Sequence, residues 1–70
     1  MKSELLIRFG VKVRKQRNAL DLSQEDLAGR AHVHRTYIGM IERGEKNITL
    51  TNIKKLGDAL GLKLEEIMKL

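Results

Sequence analysis

Apolar residues recur at intervals of three and four along this 70-residue chain, in short runs bounded by residues that start or stop helices. Such spacing puts the apolar side chains of each run on one face of an α-helix. The chain has no proline and no cysteine, and its few aromatic residues do not favour a β-sandwich or barrel. The sequence therefore predicts an all-α fold, a compact five-helix bundle formed by a single domain of residues 1–70.

The predicted helices begin and end at capping residues. Ser23 is followed three residues later by Asp26, which is the spacing of a capping box, and Thr49 is a good N-cap for the fourth helix. Gly44 and Gly61 suit the left-handed conformation that often ends a helix. The five predicted helices span about residues 3–19, 23–31, 35–43, 50–60 and 64–69.

Each predicted helix has one apolar face that should turn toward the interior. In the first three helices these residues are Leu6, Phe9, Val13, Leu20, Leu27, Ala28, Ala31, Ile38 and Ile41. In the last two they are Leu50, Ile53, Leu56, Leu60 and Leu64. The final residues are more apolar than the tail of a small monomer requires. They could be plain core, but we expect Ile67, Met68 and Leu70 to form a dimer interface.

The chain is basic, and this favours a polyanionic partner. It has 14 Lys and Arg against 9 Asp and Glu, which gives a net charge of +5 and a pI near 9.9. Nucleic acid is the commonest partner of such a domain, although a soluble domain can be basic without binding one. No long uncharged apolar stretch and no signal-peptide pattern are present, so we expect a cytoplasmic protein without membrane contact. No cofactor is expected.

Residues 23–44 carry the strongest functional signal. An eight-residue helix, a turn at His32-Val33-His34 and a second helix have the length and order of a helix-turn-helix. With Ile38 and Ile41 buried, several side chains of the second helix should point outward near its N-terminal end, which meets base edges in such motifs. These outward side chains are Arg35, Thr36, Tyr37 and Met40.

Three segments of this region resemble the phage-repressor and Cro-like helix-turn-helix family. They are Ser-Gln-Glu-Asp-Leu-Ala at 23–28, Arg-Thr-Tyr-Ile at 35–38 and Ile-Glu-Arg-Gly at 41–44. The runs at 34–38 and 42–49 resemble more specifically the controller proteins of restriction–modification systems, which are small dimeric regulators. The resemblance implies a homodimer that binds a double-stranded DNA operator. A two-fold pair would place two recognition helices one duplex turn apart, which predicts a pseudo-palindromic operator with half-sites about 10–11 base pairs apart. We expect the bound protein to block or recruit RNA polymerase.

The resemblance also implies roles for individual residues. Arg35 matches the main base reader, because its guanidinium can bond guanine O6 and N7 together, and Thr36, Tyr37 and Met40 accompany it. Arg17 and Glu42 match a largely buried ion pair, although Arg17 could instead contact phosphate or solvent. The residues that match phosphate-binding positions are Ser23, Gln24, His34, Arg43, Lys46 and Asn47.

Two histidines depart from the family pattern. His32 stands where the turn usually has glycine, because the backbone there often needs a positive φ. His34 stands where the N-cap is usually Ser, Thr or Asp, and it could instead meet a phosphate. Two histidines without a nearby cysteine are weak evidence for a metal site, so none is expected.

Two other classes of function remain as alternatives. An antitoxin-like or coactivator-like module would act mainly through a protein partner, and it would carry a large exposed apolar patch elsewhere and neutral residues at positions 35–37. An enzyme would need a pocket with a nucleophile or an acid–base pair, and the chain offers no such set. The scattered carboxylates suit solvated positions rather than catalysis; they are Glu45, Asp58, Glu65 and Glu66.

Overall fold

The computed structural model describes residues 3–70 as five α-helices, and this part of the chain contains no strand. The all-α prediction is confirmed. The helices are α1 (Glu4–Ala19), α2 (Gln24–Ala31), α3 (Arg35–Glu42), α4 (Leu50–Ala59) and α5 (Leu64–Ile67). No helix in residues 3–70 is long and apolar enough to cross a membrane. Met1 and Lys2, which belong to the predicted domain of residues 1–70, lie outside the described residues.

The helices pack around one core, with α3 at its centre. α3 packs against both α1 and α2, α4 lies against α2, and α5 closes against α4. α2 and α3 pack directly against each other, and Ala28 of α2 is a small core residue that is only 4% exposed. The fully buried side chains come from all five helices and from the C-cap of α4, which is Leu60; those in the helices are Val13, Leu27, Ile38, Ile41, Leu56 and Ile67.

Side-chain caps define where the first four helices begin. Ser3, Ser23, His34 and Thr49 each accept a hydrogen bond from a backbone N–H of the first turn. At Ser23 the capping box is complete: Oγ accepts from Asp26 N at 2.9 Å, and the Ser23 N–H donates to Asp26 Oδ2 at 2.9 Å. The backbone and hydroxyl hydrogen bonds with Ser23 lower the pKa of Asp26.

The turn between α2 and α3 adopts the left-handed conformation that its sequence position demands. His32 caps α2 with φ 58° and ψ 44°, and the Val33 N–H donates to Ala28 O at 3.0 Å. Val33 then packs against the core from the turn. Gly44 follows α3 with φ 72°, as expected of a residue that ends a helix.

Two leucines predicted for the core lie at the surface instead. Leu20 is 42% exposed because α1 ends at Ala19. The helical spacing that turns the other apolar side chains inward no longer applies at Leu20. Leu50 is 65% exposed because it is the first residue of α4, ahead of the turn that packs inward.

Ile67 is a core residue, so its side chain does not fit the predicted dimer interface. It is 0% exposed, and its Cγ2 would lie 3.5 Å from a Cβ added at Gly57 of α4. The reason is that α5 is a single turn whose inward positions are Leu64 and Ile67. α5 ends at Ile67 rather than near residue 69, and this leaves Met68 and Leu70 exposed by 45% and 38%.

Candidate nucleic-acid interface

A buried carboxylate near the end of α3 holds α1, α2 and α3 together. The Glu42 side chain is 0% exposed and accepts two hydrogen bonds from Arg17, from Nε to Oε2 at 2.6 Å and from Nη2 to Oε1 at 3.0 Å. Arg14 Nε and Gln24 Nε2 also donate to Oε1, at 3.3 and 3.2 Å. Arg17 is 12% exposed and donates its Nη1 to Leu22 O, so it points inward rather than to phosphate or solvent. This cluster sets the orientation of α3.

The same cluster changes the acidity of Glu42. Burial alone would raise its pKa, but the hydrogen bonds from Arg17, Gln24 and Arg14 and the charge of Arg17 outweigh burial and lower it below the ordinary value. The hydrogen bond with Glu42 raises the pKa of Arg17. The charged pair is therefore the stable form at neutral pH.

Acid is expected to destabilise the fold through Glu42. Because folding lowers the pKa of this carboxyl, its contribution to stability is complete above the unfolded-state pKa of about 4.3 and is lost as the pH falls through the folded value. Urea unfolding across a pH series, with a carboxyl NMR titration assigned to Glu42, measures both quantities. A Glu42 titration midpoint at or above about 4.3 would contradict the expected result.

The outward end of α3 carries the predicted base readers. Arg35 and Thr36 are exposed, whereas Tyr37 and Met40 are half-buried. Ile38 and Ile41 are 0% and 1% exposed, so the inner side of α3 is committed to the core. The four predicted readers therefore lie on one helix, where Arg35 and Thr36 are accessible and Tyr37 and Met40 are partly covered.

Tyr37 is anchored by a residue of α4. The Asn52 Nδ2 donates to Tyr37 Oη at 3.0 Å, and Tyr37 also packs against the core. An amide N–H only donates, so the tyrosine oxygen is the acceptor and its own hydroxyl hydrogen stays available. The ring is thereby held with one hydroxyl donor for a neighbouring group.

His34 is the N-cap of α3. Its Nδ1 accepts a hydrogen bond from Thr36 N at 3.0 Å. Nδ1 therefore carries no proton, and the neutral ring holds its proton on Nε2. His34 thus fills the capping role that Ser, Thr or Asp has in the family, and Nε2–H is its remaining donor for a phosphate.

Some of the other predicted phosphate-binding side chains already form hydrogen bonds within the protein, and others are exposed to solvent. Gln24 is directed to Glu42, and the Ser23 hydroxyl accepts in the capping box. Arg43 Nε donates to Glu45 Oε1 at 3.0 Å. Lys46 and Asn47 are exposed in the segment between α3 and α4. Ser23 and Gln24 lie at the start of α2, whereas Arg43, Lys46 and Asn47 follow the last residue of α3.

Sequence reasoning missed three polar residues of this region. Glu25 makes an ion pair with Arg35, Asn52 holds Tyr37, and Arg14 joins the Glu42 cluster. The only sequence signals were the position of Glu25 in the first turn of α2 and that of Asn52 in the first turn of α4. Neither position indicates a contact with another helix, because both also suit plain solvent exposure.

Known proteins resemble this chain over most of its length. The family described as Helix-turn-helix matches residues 13–67. The control protein C.BamHI of Bacillus amyloliquefaciens is 42% identical over 97% of this chain and 85% of its own. The restriction–modification controller protein C.AhdI of Aeromonas hydrophila is 44% identical, with a TM-score of 0.86 over 89% of this chain and 94% of its own.

A structure of the nucleoprotein complex of C.Esp1396I, another restriction–modification controller protein, is also similar. It is 28% identical, has a TM-score of 0.82 and covers 99% of this chain and 99% of its own. The matches to C.BamHI and C.AhdI exceed 40% identity over nearly all of the chain. This chain therefore belongs to the helix-turn-helix family and, within it, to the controller proteins of restriction–modification systems.

Proposed function

We propose that this protein is a sequence-specific regulator of transcription that binds double-stranded DNA through α3 and controls the genes of a restriction–modification system. The observation that carries the proposal is the exposed Arg35–Thr36 end of a helix whose opposite side is locked in the core by Ile38 and Ile41. Membership of the controller proteins supports it, as does the nucleoprotein complex formed by C.Esp1396I. We also propose a cytoplasmic location, which is where a bacterium such as the source of C.BamHI holds its DNA.

In this proposal α3 enters the major groove and the residues around it clamp the backbone. Arg35 reads guanine, with Thr36, Tyr37 and Met40 beside it. The first turn of α2 offers backbone N–H groups and a positive helix end to a phosphate. The side chains proposed to hold phosphates are Ser23, Gln24, His34, Arg43, Lys46 and Asn47. Occupancy of the operator, without a catalytic step, then blocks or recruits RNA polymerase.

We propose that two copies act together. Met68 and Leu70 are exposed apolar residues that line a groove with Leu5, Ile48 and Ile53. Covering this groove with a second copy removes apolar surface from water, which stabilises a domain of this size. A two-fold pair would place the two α3 helices about 34 Å apart, one turn of the duplex.

Selection from a random duplex library tests the proposal. The expected product is a pair of inverted half-sites whose centres lie about 10–11 base pairs apart. If each protomer neutralises about four phosphates, log K of the dimer falls with log salt at a slope near −7. Recovery of no preferred sequence would contradict the proposal and favour a module that works through a protein partner. Recovery of isolated single half-sites would contradict the dimer.

Two matched substitutions separate base reading from phosphate binding. Arg35→Ala is expected to lose about 1–3 kcal/mol of preference for guanine at one position, because the bidentate contact disappears. Lys46→Ala removes another exposed cation and is expected to weaken binding to all sequences, with the salt slope flatter by about one unit. Titration of selected and shuffled duplexes measures both effects. Unchanged discrimination in Arg35→Ala would remove Arg35 from the base-reading role.

A further inference from the structure

The proposed base reader is already held by a neighbouring carboxylate in the free protein. Arg35 Nη1 lies 3.2 Å from Glu25 Oε2 and donates a hydrogen bond to it. Glu25 belongs to the first turn of α2, so the pair bridges the two helices of the motif on their outer side. Both side chains are open to solvent, with 68% of Arg35 and 76% of Glu25 exposed.

The atoms used by this ion pair leave a complete recognition edge of the guanidinium open. Within residues 3–70, the hydrogen bond to Glu25 engages Nη1, and no protein group bonds Nε or Nη2 of Arg35. Nε and Nη2 together form one of the planar forks with which an arginine can meet two acceptors at once. Guanine O6 and N7 are such a pair of acceptors. Glu25 can therefore stay bonded to Arg35 while the other edge reads a base.

The carboxylate that holds Arg35 stands on a rigid support. The capping box at Ser23 and Asp26 fixes the first turn of α2, and α2 packs directly against α3. The positive end of α2 also favours an anion at this position. The ion pair of Arg43 is local by comparison, because its Nε bonds Glu45, which is only two residues along the chain and does not lie on another helix.

We propose that Glu25 is a positioning residue for base recognition, which holds Nη1 of Arg35 so that the Nε–Nη2 edge is presented to guanine. The inference rests on the DNA-binding function proposed above. A long side chain loses rotamer freedom when it binds, and a partner that restrains it beforehand lowers that entropic penalty. A carboxylate near DNA also repels phosphates. Glu25 therefore favours binding by restraining Arg35 and opposes binding by charge repulsion, and the two effects can be measured separately.

Glu25→Ala tests the inference on the full chain, with the selected duplex and a duplex in which adenine replaces the guanine read by Arg35. That guanine is the position at which Arg35→Ala loses its preference. We expect Glu25→Ala to lower the preference for guanine by up to about fivefold, which is the range of an exposed ion pair. Binding to shuffled duplex should stay equal or become tighter. Glu25→Gln, which keeps an acceptor, should restore part of the preference.

Two controls separate positioning from charge. Glu25→Ala in an Arg35→Ala background is expected to leave the preference at this base pair unchanged, because the positioned group is absent. Glu65→Ala makes the same change of net charge at an exposed site on α5 and should leave the preference unchanged. Thermal unfolding of each variant checks that the fold persists.

Two results would overturn the inference while leaving the proposed function intact. One is an unchanged guanine preference in Glu25→Ala, with or without tighter binding to every sequence. The other is an equal loss of preference in the Arg35→Ala background. A wild-type protein that selects no sequence would overturn the inference and the proposed function together.

Discussion

Replacement of Arg17 by methionine is expected to lower the free energy of unfolding by about 3–5 kcal/mol, because it leaves a buried carboxylate without its bidentate partner. Glu42 is 0% exposed at its side chain, and Arg17 supplies its two shortest hydrogen bonds, at 2.6 and 3.0 Å. A domain of this length has a total stability on the order of 3–5 kcal/mol, so the variant should be largely unfolded at room temperature. Circular dichroism of the variant at room temperature, with urea unfolding of the parent protein as the reference, measures the loss.

A second arginine on the same carboxylate provides the matched control. Arg14 is 54% exposed and lies 3.3 Å from Glu42, so Arg14→Met should lose at most about 1 kcal/mol. The double variant Arg17→Met/Glu42→Leu removes both charges and is expected to recover much of the stability, since apolar residues can replace a buried pair. Equal losses for Arg17→Met and Arg14→Met would show that burial does not govern the strength of this cluster.

The second large effect is expected at Gly10, where α1 crosses the end of α3. A Cβ added there would collide with the backbone oxygen of Ile41 and would lie 2.7 Å from that of Glu42. These atoms belong to the helix backbone and cannot rotate away, so Gly10→Ala must push α1 and α3 apart. We expect a loss of about 1–3 kcal/mol despite the higher helix propensity of alanine.

Gly29 is the control for helix propensity alone. It lies in α2, and a Cβ added there would have no neighbour within 4 Å. Gly29→Ala is therefore expected to raise the free energy of unfolding by about 0.5–1 kcal/mol. Thermal and urea unfolding of the two variants should shift in opposite directions. A Gly10→Ala protein as stable as the parent would mean that the two helices can separate without loss.

The candidate interface was predictable wherever helical periodicity decides which way a side chain points. Burial of Ile38 and Ile41 follows from their spacing, and it turns Arg35 and Thr36 outward. The periodicity does not say what an outward side chain touches. Consequently the bond from Asn52 to Tyr37 and the pair of Glu25 with Arg35 were not predicted.

The apolar pattern was least informative at the ends of helices. Leu20 and Leu50 continue the spacing of their stripes, yet they lie where the helix stops or starts and no neighbour covers them. Ile67 is the opposite case. Its position near the end of the chain suits a dimer surface, yet α4 of the same chain covers it. Spacing therefore located the helices better than it located the edge of the core.

Features that depend on neighbours three or four residues away were readable from the amino acids alone. The capping box at Ser23 and the inward faces of α2 and α3 are of this kind, since each forms within one or two helical turns. The close crossing at Gly10, the burial of Ile67 and the partner of Arg35 required the folded chain. These contacts join different helices, and their distances depend on how whole helices pack.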